Sequence, residues 1–99
     1  MEGGIKCCSN GQFHVIGPMD FTTVNQLLMQ SEKLFANAEQ VILDLQAVSN
    51  ANSAGLALLL EWYDRLQRQH KLFKVYNIPN SLLDIARISN CIEILKLIT

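Results

Sequence analysis

Val41-Ile42-Leu43-Asp44-Leu45, two further residues, and then Val48-Ser49-Asn50-Ala51-Asn52-Ser53-Ala54-Gly55-Leu56-Ala57-Leu58-Leu59-Leu60 form the stretch that decides the fold. Its first five residues are a near-continuous apolar run, the pattern of a strand covered on both faces within a parallel sheet. Ser49 to Asn52 read as a short polar loop. A helix is expected from about Ser53 to His70, and helical spacing places Leu56, Leu59, Leu60, Tyr63 and Leu66 on its core face. Leu72-Phe73-Lys74-Val75-Tyr76 then supplies another strand, completing a strand-helix-strand unit.

Upstream, Ile5–Cys8 and Gln12–Ile16 read as two strands around the turn Ser9-Asn10-Gly11, with Gly17-Pro18 ending the second. Asp20 is placed to cap a helix carrying Phe21, Val24, Leu27, Leu28, Leu34 and Phe35 in one apolar stripe, ending near Asn37. Downstream, Pro79 suits a first helical turn, and Ser81 with Asp84 has capping-box spacing. Asn90 suits a left-handed C-terminal cap. The apolar tail from Ile92 to Ile98 fits either a short strand or a helix. The order β, β, α, β, α, β, α and a final element predicts an α/β fold, a mixed central sheet with helices packed against it.

The bulk properties narrow the function. Ninety-nine residues suit a single domain spanning 1–99, with little room for a deep substrate cavity. The net charge is −1 and the basic residues are scattered, which argues against nucleic acid as a partner. The longest apolar run, Leu56–Leu60, is too short to span a bilayer, so no direct membrane insertion is expected. Met1-Glu2-Gly3-Gly4 lacks the basic and apolar pattern of a secretory signal, which makes the expected location cytoplasmic. Cys7, Cys8 and Cys91 match neither a disulfide framework nor zinc spacing. They are expected to be reduced and mostly packed, the alternative being a reactive thiol. No metal and no cofactor is expected.

The segment from Asn52 to Gly55 is the candidate site. It opens a helix directly after a buried strand, where outward-pointing amides carry partial positive charge and can hold an anion. Small residues at Ser53, Ala54 and Gly55 let another backbone approach. A phosphate on Ser53 would add about −1.5 to −2 charges at that helix start. The plain structural role is an N-cap at Asn52 or Ser53, worth roughly 1 kcal/mol. Leu58 is expected nearly opposite the core face with Trp62 at its edge, so the two would extend a partner patch from Ser53. The alternative is that Trp62 only covers the rim of the core.

Ala51-Asn52-Ser53-Ala54-Gly55 is also one residue away from a G-x-S-x-G nucleophile elbow. A nucleophile needs a nearby base. His70 would lie ~25 Å from Ser53 along the helix, at 1.5 Å per residue. His14 is on an early strand, and the chain lacks the bulk of that hydrolase fold. No enzyme is expected.

Val41–Leu45, Val48-Ser49 and Asn52-Ser53-Ala54-Gly55-Leu56 together resemble the signature of STAS domains, the fold of anti-sigma factor antagonists. In that family a "DLSxVxxxDSSGL"-like segment joins the central strand to a helix, and its Ser or Thr can be phosphorylated. Ser53 matches that position, Gly55-Leu56 match the following Gly-Leu, and Ile88-Ser89-Asn90 resembles an "LTG"-like end to the third helix. The run Gly55–Leu60 is similar to the "TGGLALLL" segment of STAS subunits in Mla phospholipid ABC transporters, which support outer-membrane lipid asymmetry. That resemblance implies a non-catalytic adaptor that binds the cytosolic ATPase subunit and, through it, the permease. The contacts would be Asn52, Ser53, Ala54, Gly55, Leu58 and Trp62. The alternative it implies is an anti-sigma factor antagonist, binding an anti-sigma kinase and switched by phosphorylation of Ser53. Asn52 departs from the family's usual Asp, which bears on recognition of Ser53 by a kinase.

Overall fold

The computed structural model describes residues 3–99; the reading made at Met1 and Glu2 lies outside them. The chain forms β1 (Gly4–Ser9), β2 (Gln12–Met19), α1 (Val24–Ala36), β3 (Gln40–Asp44), β4 (Val48–Ala51), α2 (Ser53–Arg68), β5 (Leu72–Tyr76), α3 (Asn80–Ile88) and α4 (Ile92–Ile98). The sheet is mixed, in the order β1-β2-β3-β5. β1 pairs antiparallel with β2, while β2 with β3 and β3 with β5 are parallel.

One parity of each of the three parallel strands is sealed: Phe13, Val15 and Met19 on β2, Val41 and Leu43 on β3, Phe73 and Val75 on β5. These residues share one core with Leu27 and Phe35 of α1, Leu56, Leu59 and Leu66 of α2, Leu82 of α3 and Leu95 of α4. The other parity stays partly exposed, at His14, Ile16, Ile42, Asp44 and Lys74. The helices therefore cover one face, and β3, expected to be covered on both, is sealed on only one. Its apolar run reflects a central position rather than a two-sided burial.

β2 runs straight through Gly17-Pro18, where a break was expected. Gly17 takes a φ of 90° and donates its N–H to the Ala47 carbonyl on the β4 side. The next N–H along a strand faces the opposite edge, and β1 pairing ends at Gly4 with Ile16. Pro18 thus sits where no donor is needed. The extra length of β2 also explains β4, in place of the polar loop expected from the sequence: β3 occupies Gln12–His14, and β4 takes up the same edge from Gly17 to Met19.

The helix ends follow local chemistry. The Lys71 ammonium donates to the Phe35 and Ala36 carbonyls at the C-terminus of α1, where cations are favoured. α1 ends with Asn37 as its cap, as expected, but begins at Val24 rather than directly after Asp20. α3 starts after Pro79 without a side-chain cap, so the Ser81–Asp84 capping box does not form; Asp84 instead pairs with Arg87. Asn90 takes the left-handed conformation, φ 59°, and the tail continues as helix with Leu95 and Ile98 buried.

Candidate functional site

α2 begins where β2 ends. The Asn52 N–H donates to the Met19 carbonyl at 3.2 Å, which pins the start of the helix to the strand. A Cβ at Gly55 would lie 2.8 Å from that same carbonyl oxygen, so only glycine permits the approach.

Asn52 is the N-cap, its side-chain oxygen accepting from the Ala54 N–H at 2.9 Å. Its carbonyl also accepts from the Gly55 and Leu56 N–H groups. The amides of the first turn are thus largely spent on Asn52 itself, and the expected anion cradle is occupied by the chain's own cap. Ser53, the first helical residue, is exposed, whereas Ala54 and Gly55 are buried.

Leu58 and Trp62, expected at the surface, are 4% and 1% exposed. At 100° per residue both lie roughly 90° around α2 from the sheet-facing stripe, and that second side is covered by α1. The Trp62 indole N–H donates to Ser31 Oγ at 2.8 Å, and Ser31 donates to the Leu28 carbonyl at 2.6 Å. Trp62 also meets Phe35 edge-on at 5.7 Å, and Phe35 meets Phe13 at 4.9 Å. This is an inter-helix buttress with its buried polar atoms satisfied.

Above the buttress runs a groove of about 490 Å³ between α1 and α2, with Val24, Leu28, Ala57 and Leu58 among its lining residues. Leu58 reaches it as part of the wall. Arg65 closes one end, paired with Glu61 at 2.6 Å and across the helices with Glu32 at 2.9 Å. These two carboxylates hold its guanidinium all the more firmly charged, Glu61 contributing most.

Phe21 also lines the groove and is 72% exposed, although the helical stripe placed it in the core. The cause is the turn from Asp20 to Thr23. The Asp20 carboxylate accepts from the hydroxyl and the N–H of Thr22, and the Val24 N–H bonds the Asp20 carbonyl. Asp20 therefore caps this turn, not the first helical turn as expected. The Thr22 hydroxyl, followed by the Thr22 N–H, holds the Asp20 carboxyl below its ordinary range. This contribution is present above the ordinary carboxylate range and is lost only as pH falls through the lowered value.

A second cleft, of about 550 Å³, opens at the opposite end of the sheet beside Asn10, Glu39, Gln40 and His70. It contains none of the site residues read from the sequence. His14 is engaged with Cys8, at the end of β2 far from Met19. Cys7 and Cys8 are exposed rather than packed, and Cys91 is half-buried. Among the described residues no cluster of three or more His, Cys, Asp or Glu side chains is placed to hold a metal.

A mixed sheet, a glycine-dependent crossing of strand and helix, and an exposed serine at the helix start are the surroundings in which the family model for the STAS domain matches residues 6–99. The chain belongs to the STAS domain family. Two solved structures share the fold. One is the anti-sigma factor antagonist SpoIIAA in its unphosphorylated form, with a TM-score of 0.61 at 17% identity over 80% of this chain and 76% of that one. The other is a sulfate transporter family protein from Wolinella succinogenes, with a TM-score of 0.67 at 17% identity over 91% of this chain and 75% of that one. No curated protein matches the sequence. STAS domains are typically regulatory and non-catalytic, and they occur both in anti-sigma antagonists and in transporter proteins. No described helix of this one is long and apolar enough to cross a membrane.

Proposed function

We propose that this STAS domain is a non-catalytic adaptor on the cytosolic side of a bacterial phospholipid ABC transporter of the Mla type, binding the ATPase subunit. The observation that carries the binding role is Phe21 standing exposed over the groove between α1 and α2, which Ala54, Ala57 and Leu58 of α2 also line. An exposed aromatic at the edge of a preformed apolar groove is the composition of a partner-binding hot spot. The transporter assignment draws on the likeness of Gly55–Leu60 to Mla STAS subunits. The contact set is Ser53, Ala57 and Phe21 at the surface, with Leu58 lining the wall. Ala54 lines the same wall, while Asn52, Gly55 and Trp62 hold α2 in place behind it.

A second reading, an anti-sigma factor antagonist silenced by phosphorylation, draws on the exposed Ser53 hydroxyl and on the fold shared with SpoIIAA. Asn52 retains the cap without the usual carboxylate, which weighs against a dedicated kinase and favours the adaptor.

The test is the affinity of the purified ATPase subunit for the wild type and for Ser53→Arg and Phe21→Ser. Each variant is expected to weaken binding by about tenfold or more. Wild-type affinity in both would remove the groove from the interface.

A further inference from the structure

The three thiols of the chain stand in different surroundings. Cys7 donates its S–H to the Ser9 carbonyl at 3.3 Å, and Cys91 donates to the Ser89 carbonyl at 3.4 Å. A carbonyl can only accept, so in both contacts the sulfur is the donor and has no base beside it. Cys8 Sγ instead lies 3.0 Å from Nδ1 of His14, a group that can take the proton.

The backbone sets up this pairing. The β1–β2 register shifts between Cys7 and Ser9, leaving Cys8 without a ladder partner in the bulge. Bulges re-aim side chains, and this one brings Cys8 against His14 on the open face of the sheet. Lys6 stands opposite His14 on β1 and Asp44 opposite it on β3. Asp44 is itself anchored by the Gln46 N–H and the Asn77 amide.

We propose that Cys8 is the reactive thiol of this chain, a site of reversible mixed-disulfide formation with low-molecular-weight disulfides, with His14 receiving its proton. The Cys8 sulfur attacks one sulfur of the disulfide RSSR, the S–S bond breaks, and Cys8–S–SR forms as RS⁻ leaves. The thiol proton passes to His14 and from there to the departing thiolate, so the products are the mixed disulfide and RSH. Cys7 is poorly placed to resolve it, because a disulfide between adjacent residues, with Cα atoms about 3.8 Å apart rather than the usual span of roughly 4.4–6.8 Å, is strained. The modification therefore stays on Cys8 until an external thiol removes it. It also sits at the end of β2 away from Ser53, and does not depend on which partner the groove binds.

The experiment is limited reaction of the native protein with oxidised glutathione, followed by peptide mass mapping of the three cysteines. Cys8 is expected to be modified about tenfold faster than Cys7 or Cys91, and His14→Gln to remove most of that advantage. Cys7 reacting as fast as Cys8 in the wild type overturns the proposal without any variant. So does a folded His14→Gln protein, checked by circular dichroism, whose Cys8 keeps its rate. Dithiothreitol should restore the unmodified mass.

Discussion

The two flanks of α2 differ both in the residues that build them and in what covers them. Toward α1, Leu58 and Trp62 are sealed, and the indole is tied to Ser31 by a buried hydrogen bond. Toward solvent, Ser53 and Ala57 stand open, Ala57 in the groove that the exposed ring of Phe21 also lines. A binding face on so small a domain needs a rigid wall behind it, since an interface residue that also moves loses affinity to the entropy of ordering it. The buried flank supplies that wall, and in the proposed adaptor role the exposed flank supplies the contact. Substitutions should therefore separate cleanly into those that unfold the protein and those that only uncouple it from a partner.

Trp62→Ala is the severest break. It removes a fully buried indole and the hydrogen bond that Ser31 accepts from it, so urea denaturation should show a loss of about 3–5 kcal/mol. A loss below about 1 kcal/mol would mean that Trp62 is no buttress. Gly55→Val comes next. Its Cβ would fall 2.8 Å from the Met19 carbonyl oxygen, and forcing α2 off β2 should cost about 1–3 kcal/mol in the same measurement. Asn52→Ala deletes the cap and should cost about 1 kcal/mol, whereas Asn52→Asp should keep most of the stability. If the two are equal, the cap contributes little. On the exposed flank, Ser53→Arg should leave stability within about 0.5 kcal/mol while weakening partner binding. Unfolding by Ser53→Arg would erase the distinction between the flanks.

Much of this arrangement was legible in the residues. The strand Val41–Leu45, the helix from Ser53, the left-handed turn at Asn90 and the α/β class all follow from periodicity and turn chemistry. The STAS resemblance rests on the same segment that forms the candidate site. What the one-dimensional reading missed has a common cause, neighbours supplied by distant chain segments. A helical wheel assumes one buried stripe, but α2 is covered by the sheet on one side and by α1 on another, which hides Leu58 and Trp62. The only local hint is that Leu58 and Trp62, one turn apart, are both large and apolar. Val48–Ala51 carries no strong strand pattern, and becomes a strand only because β2 runs past the end of β3. Phe21 keeps helical spacing with Val24 and Leu28, yet the Asp20 turn lifts it out of the helix and onto the rim of the groove.

The most direct test of the adaptor role is affinity purification of the tagged protein from its native membranes, with mass spectrometry of what accompanies it, for the wild type and Ser53→Arg in parallel. The expected result is an ABC ATPase and its permease with the wild type, strongly depleted with Ser53→Arg. Recovery of an anti-sigma kinase in their place, or equal recovery of the transporter by both proteins, would contradict it.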